Sequence, residues 1–125
     1  MSKVIKLEPS GVTLADFPDN DTTAEQLQWF YSQIGCEYIE TVPARRFGEN
    51  AYQLVIDEEG KLRGLPFNPL AAWIFGSEYI VGTALLVKVH DTQYGPELGG
   101  MDEDETMELL RVMGEDLTEE SRNDG

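Results

Sequence analysis

The sequence predicts one α+β domain, a mostly antiparallel sheet of about five strands with one packed helix, a short second helix and an acidic C-terminal helix. Three observations support this class. The chain has 125 residues, enough for a single core of ordinary quality. Short apolar segments are separated by turn residues, as in an antiparallel sheet. Residues 23–34 instead repeat apolar side chains every three to four positions, as an amphipathic helix does.

The first third of the chain supplies a strand pair and the strongest helix signal. Residues 3–7 and 12–15 are predicted strands around the turn at 9–11. Thr22 and Glu25 fit a capping box, and Gly35 stands where a left-handed C-cap is expected, so a helix is predicted over 23–34. Its apolar face is predicted to be core: Leu27, Phe30, Tyr31 and Ile34.

The middle of the chain predicts further strands and a short helix. Strands are predicted at 37–42 and 51–56, followed by a turn at 57–60 and a short return strand at 61–63. Asn68 as N-cap, Pro69 at the first helical position and Gly76 as the stop predict a helix ending at Phe75.

The last third divides into a strand, a linker and a charged end. The apolar run 79–89 predicts a strand covered on both faces, in which Gly82 marks a bulge or a close backbone approach. These features predict a core domain at 1–90, a Gly/Pro linker at 91–100 and an acidic helical appendage at 101–125 with a frayed end. The appendage contains a helix over 102–113 with a sparse apolar stripe at Met107, Leu110 and Met113, closed by Gly114. A chain ending near Gly99 is therefore expected to stay folded.

Negative charge is the strongest compositional signal. Twenty-four acidic and nine basic residues give a net charge of −15, and residues 96–125 alone hold eleven acidic and two basic ones, a balance of −9. Such a chain is expected to repel nucleic acid and anionic membranes and to attract basic proteins. Solubility alone is the alternative explanation of the same charge. A single cysteine, Cys36, and the lack of a signal peptide or membrane-spanning run favour the cytoplasm.

The sequence offers no defined catalytic set, so it predicts no enzyme activity, cofactor or metal site. His90 is the only histidine and Cys36 the only cysteine, and neither has an identifiable partner in the sequence. The acidic turn at 57–59 does not follow the ligand spacing of a calcium loop. A small anion pocket would form if two basic pairs met across the sheet: Arg45, Arg46, Lys61 and Arg63. Ordinary surface pairing of these residues with nearby acidic residues is the favoured alternative.

Residues 34–84 resemble a family of small proteins from phages, plasmids and their bacterial hosts, known as domain of unknown function 3846. The resemblance rests on the segments 34–42, 55–62, 64–69 and 80–84, the third of which is Gly-Leu-Pro-Phe-Asn-Pro. Cys36 stands where the family usually has a second glycine. The resemblance implies a phage or mobile-element setting and transfers no catalytic residue.

The strong negative charge, the lack of a defined catalytic set and the family resemblance together favour a non-catalytic binding protein of phage or mobile-element origin. Its expected partner is a basic host protein, such as a nucleic-acid-binding defence or regulatory factor, and the expected role is anti-defence or another host interaction. The oligomeric state is left open. Sequestering of an anionic nucleotide by the two basic pairs is the alternative, and a metal-dependent hydrolase using carboxylates is a third hypothesis. The predicted partner-binding residues are Asp102, Glu103, Asp104, Glu105, Glu108, Glu115 and Asp116.

Overall fold

A computed structural model describes residues 2–76 and 79–123, and within the last helix it describes side chains as far as Gly114. The described elements are six strands, three α-helices and one 3₁₀ turn (Arg45–Phe47). In chain order they are β1 (Lys3–Glu8), β2 (Gly11–Asp16), α1 (Thr23–Ile34), β3 (Ile39–Pro43), β4 (Tyr52–Asp57), α2 (Pro69–Phe75), β5 (Ala84–Thr92), β6 (Gly95–Gly99) and α3 (Glu103–Asn123).

The strands form one antiparallel sheet in the order β2-β1-β5-β4-β3, and β6 also pairs with β5. Strand β5 is the central strand of the sheet, since its first half pairs with β1 and its second half with β6. A bridge between Lys3 and Met101 joins the start of β1 to the segment that leads into α3. The predicted α+β fold is confirmed, with six strands where about five were expected.

Helices cover both faces of the sheet. Helix α1 packs on one face over Val55, Leu85 and Val87, while α2 and α3 share the other with Leu54 and Leu86. Consecutive residues of β4 and β5 point to opposite faces, so both strands are apolar on both sides. Coverage on both faces is thus confirmed for β5, although this strand begins at Ala84 and not at residue 79 as predicted, and α2 and α3 lie on one face of the sheet.

Helix α1 begins and ends where its capping residues predict. The Thr22 hydroxyl accepts a hydrogen bond from the Glu25 amide at 3.2 Å, and the Glu25 carboxylate accepts one from the Thr22 amide at 3.0 Å. Gly35 ends the helix at a φ of 78°. The predicted apolar face is only half buried: Phe30 and Ile34 reach the core, whereas Leu27 is 39% exposed.

Two segments differ from their predicted form, and in both the local hydrogen bonds show the structure that is adopted instead. The predicted linker at 91–100 is wrong, since β5 runs to Thr92 and pairs with β6 across a tight turn. Thr92 closes this turn, its hydroxyl accepting from the Tyr94 amide and donating to the Gly95 carbonyl. The predicted return strand at 61–63 is a series of turns instead, in which the Arg63 amide donates to the Glu59 carbonyl at 3.0 Å.

Helix α3 belongs to the core in its first half, which contradicts the prediction of a separate appendage. Thr106, Leu109 and Met113 are buried against the sheet, while Met107 of the predicted stripe is 56% exposed. The helix passes through Gly114 and continues to Asn123, so Gly114 is not its C-cap. In the described part of the chain, no helix has both the length and the apolar character needed to span a membrane.

Candidate functional site

The start of α3 forms a pocket with the second half of β5. The pocket has a volume of about 420 Å³. Lys88 and His90 enter it from β5, two residues apart and therefore on one face of the strand. The other lining residues come from the start of the chain and from the segment around the start of α3: Ser2, Gly100, Asp102, Glu103 and Glu105. Three of the predicted partner-binding residues thus line one concave surface.

Glu105 is held inside this surface rather than offered to a partner. One carboxylate oxygen accepts a hydrogen bond from Lys88 Nζ at 2.9 Å, and the other accepts one from the Tyr52 hydroxyl. Tyr52 lies directly opposite Lys88 in the β4–β5 ladder. Burial, reinforced by the hydrogen bond to Glu105, raises the pKa of Tyr52 to about 12. The positive charge of Lys88 is therefore paired inside the protein.

Asp102 caps α3. Its Oδ1 accepts a hydrogen bond from the Glu105 amide at 2.8 Å, and its carbonyl accepts from the Thr106 hydroxyl at 2.7 Å. Glu103 and Asp104 follow in the first turn as exposed residues, where the helix dipole favours negative charge.

Three predicted acidic residues remain, and the structure describes the side chain of only one of them. Glu108 is exposed and pairs with Arg111 one turn on, and this hydrogen bond lowers the pKa of the Glu108 carboxyl. The side chains of Glu115 and Asp116 lie outside the described residues. We use the name acidic site for the four exposed carboxylates near the start of α3: Asp102, Glu103, Asp104 and Glu108.

His90 and Asp19 support the chain segment that leads into the acidic site. His90 Nε2 lies 2.9 Å from the carbonyl oxygen of Gly100, and the ring rests against Gly99, where an added Cβ would come within 2.8 Å of it. Asp19 accepts hydrogen bonds from the amide and hydroxyl of Ser2 at 2.7 and 2.6 Å. Burial alone would raise the pKa of Asp19, but these bonds lower it. These contacts assign His90 a structural role.

The four basic residues of the predicted anion pocket lie in separate surroundings. Arg46 donates to the Trp73 carbonyl at 2.7 Å and stacks on the Trp73 ring, and Arg45 lies over the ring of Phe75. Arg63 pairs with Asp57 at the C-terminal end of β4, while Lys61 lines a pocket beside β3. The three arginines thus have partners within the chain.

Arg63 borders a pocket of about 620 Å³ at the C-terminal end of α1. Its guanidinium donates to the buried carboxylate of Asp57 at 2.5 Å and to the Gly35 carbonyl at 3.2 Å. Glu37 and Glu59 also line the pocket, so carboxylates outnumber the single arginine and disfavour an anionic ligand. Burial, and then the charge of Asp57, raises the pKa of the Cys36 thiol, which disfavours its thiolate.

The arrangement offers no metal centre within the part of the chain that is described. No three or more histidine, cysteine, aspartate or glutamate side chains there are grouped to hold a metal ion. The acidic site therefore offers spaced, exposed charges rather than converging ligands.

Sequence reasoning found the acidic residues but missed their structural neighbours. Lys88 and Tyr52 lie 17 and 53 residues from Glu105 in the chain, so no local pattern could join them. The one available signal was the polar pair Lys88 and His90 at alternate positions in the outer half of an apolar strand.

Comparison with known proteins identifies a family. No curated protein and no solved structure matches this chain. The model of the family described as domain of unknown function (DUF3846) matches residues 1–108. This confirms the resemblance and extends it from residues 34–84 to the β1–β2 pair and to the first turns of α3. With most of its length inside that match, the chain belongs to the DUF3846 family.

Proposed function

We propose that this protein is a non-catalytic binding protein that engages a basic surface of another protein through the acidic site. The observation that carries the proposal is the exposure of Asp102, Glu103 and Asp104 together at the start of a helix. The nearest pocket cation, Lys88, is already paired with Glu105, so it does not cancel their charge. Opposite charge on a partner would then steer the encounter and speed association.

The backbone of the acidic site is anchored by buried neighbours, which favours binding. Met101 just before the helix is 1% exposed, and Thr106 and Leu109 are buried directly behind the exposed carboxylates. A helix start fixed in this way keeps the spacing of its charges in the free protein. Less conformational freedom is then lost on binding, which is the benefit of preorganisation.

The proposed setting is the cytoplasm of a bacterial host that carries a phage or mobile element. A basic groove in which a host protein holds nucleic acid would complement a chain with a net charge of −15. A nucleic-acid-binding defence or regulatory factor is therefore the proposed partner class. The rival nucleotide hypothesis draws less support, because Arg45, Arg46 and Arg63 are engaged within the chain.

Affinity purification from the natural host, followed by binding kinetics on the recovered partner, tests the proposal. We expect Glu103→Gln combined with Asp104→Asn to lower the association rate severalfold, and to leave the melting temperature nearly unchanged because both side chains are exposed. Asp102 is left intact, because loss of an N-cap costs about 1 kcal/mol of stability. The matched control is Glu58→Gln, exposed at the β4 end.

Salt provides the second arm of the test. Raising ionic strength from about 0.01 to 1 M shortens the Debye length from about 30 to about 3 Å, so affinity for the partner should fall steeply. Binding that is insensitive to salt, or equal in the double variant and the wild type, would overturn the proposal. A partner lost equally in Glu58→Gln would place the interface elsewhere.

A further inference from the structure

Strand β2 is an open edge of the sheet. It pairs with β1 on one side, and no described strand lies on its other side. Five of its six residues are exposed, and the sixth, Ala15, is half-buried against the core cluster on the α1 side. Its outer row of backbone amides and carbonyls is available to another strand.

The sequence of β2 lacks the features that protect the other edges. Strand β3 contains Glu40 and ends at Pro43, and β6 contains Pro96 and Glu97. Charge and proline at an edge are the usual obstacles to pairing with a further strand. Gly11–Ala15 contains neither, and Asp16 beyond it is already paired with Lys3.

Val12 and Leu14 extend the apolar face of the sheet into solvent. They lie opposite Leu7 and Ile5 of β1, which are fully buried beneath the helices of the α2–α3 side. Val12 and Leu14 are nevertheless 40% and 44% exposed, because those helices stop short of β2. An added strand at this edge would bring apolar side chains against both of them.

We propose that β2 is a dimerisation strand, and that two copies of the chain pair through it in antiparallel orientation about a two-fold axis at Thr13. In this register Val12 of each copy faces Leu14 of the other, on the same face of a continuous twelve-stranded sheet. Centring the axis on Leu14 would instead place Val12 against Asp16. The Thr13 register therefore pairs apolar side chains with each other, and no charged side chain faces an apolar one.

The charge distribution favours a second copy over a basic partner at this edge. Gly11–Ala15 carries no charge in a chain of net charge −15, so a basic protein gains no attraction from it. Two copies repel each other through their bodies, and salt screens this repulsion. The dimer should accordingly strengthen as ionic strength rises, opposite to the proposed binding at the acidic site.

Disulfide trapping tests the register directly. In a Cys36→Ser background, Thr13→Cys would place two cysteines directly opposite, with Cα atoms about 4.5–5.5 Å apart, within the range of a disulfide. Ala15→Cys is the matched control, because its two copies would be displaced by four residues, about 13 Å along the strands. We expect a covalent dimer from Thr13→Cys alone under mild oxidation. No dimer at Thr13, or equal trapping at both positions, would overturn the register.

Sedimentation velocity at high protein and salt concentration tests the interface itself. Leu14→Lys should give a monomer, since it charges the pairing face, while the unchanged melting temperature reports an intact fold. Tyr94→Lys is the control, as Tyr94 is 83% exposed in the β5–β6 turn. A wild-type protein that stays monomeric as salt rises, or a Leu14→Lys dimer, would refute the proposal. Neither outcome bears on the acidic site.

Discussion

At the scale of single residues, Asn68 does more than cap a helix, because its side chain also connects two other parts of the fold. Its side-chain oxygen accepts from the Ala71 amide at 3.1 Å, which caps α2. Its side-chain nitrogen donates to the carbonyls of Leu7 and Gly82, at 2.9 and 2.8 Å. Asn68 is fully buried, so it ties α2 to β1 and to the segment before β5 in a place that water does not reach.

We predict that Asn68→Ala is among the more damaging single substitutions. It would leave two buried carbonyls and one helix amide without partners, at a cost of about 3 kcal/mol. The melting temperature should fall by roughly 10 °C. Asn50→Ala, in an exposed turn, is the control and should change the melting temperature little. Equal thermal stability of the two variants would show that water replaces the Asn68 hydrogen bonds.

The phenol of Tyr52 provides a second prediction at this scale. Because burial and Glu105 raise its pKa to about 12, Tyr52 should be a late-ionising member of the five tyrosines in an ultraviolet titration. In the unfolded chain the phenol ionises near its ordinary pKa of about 10, so the free energy of unfolding should fall between pH 10 and 12.

The variant Tyr52→Phe tests whether Tyr52 causes both the late ionisation and the fall of stability above pH 10. This variant should lose the late ionisation step and show a shallower fall of stability above pH 10, because no proton is then held by the folded state alone. A late step that persists in Tyr52→Phe would assign it to another tyrosine.

At the scale of elements, α3 joins stability to the proposed function. Its buried face packs on the sheet through Leu109 and Met113, while its exposed face carries the acidic site. The bridge between Lys3 and Met101 anchors its approach. The element that was predicted to be a removable appendage thus closes one face of the core.

Two truncations test this arrangement. A chain ending at Gly99 loses Met101, Leu109 and Met113, each worth about 2 kcal/mol of apolar burial, which together approaches the whole stability of a small domain. We expect it to lose its cooperative thermal transition in circular dichroism. A chain ending at Gly114 keeps these residues and should retain the transition. If the shorter chain melted within a few degrees of the full protein, α3 would be dispensable for the core.

The elements also show which parts of the fold the sequence could predict. Helices α1 and α2 were located correctly because their capping residues act within one turn: Thr22 with Glu25, and Asn68 with Pro69. The region 91–100 was misassigned because Gly99 and Gly100 are typical of a linker. Here they leave room for His90 and Ser2, which approach from elsewhere in the fold.

The candidate site was predicted in the same partial way. Acidic residues at a helix start are visible in any sequence, so Asp102 and Glu103 were found. Which apolar residues of α3 face the sheet depends on its docking, and the predicted stripe therefore included the exposed Met107 in place of Leu109. Local patterns determine helix ends, but long-range packing decides which face is buried.

At the scale of the whole molecule, net charge opposes folding. A charge of −15 on 125 residues produces repulsion that is strongest in the compact state. We predict that raising monovalent salt from about 0.01 M to about 0.1 M, where the Debye length falls to about 10 Å, raises the melting temperature by a few degrees. Sodium and potassium chloride should act alike, which separates screening from specific ion binding. A melting temperature that falls with salt would show that ion pairs such as Lys88–Glu105 outweigh the repulsion.

The pairing of β1 with β5 also sets the order of events as the chain emerges from the ribosome. Leu7 pairs with Ala84, so the β1–β2 segment, which ends at Asp16, is synthesised roughly 70 residues before its neighbour in β5 exists. At about 5–20 residues per second, this delay lasts roughly 3.5–14 s. Ile5 and Leu7 lack their β5 neighbours during this delay, so we expect the nascent chain to expose a short apolar segment of the kind that chaperones bind.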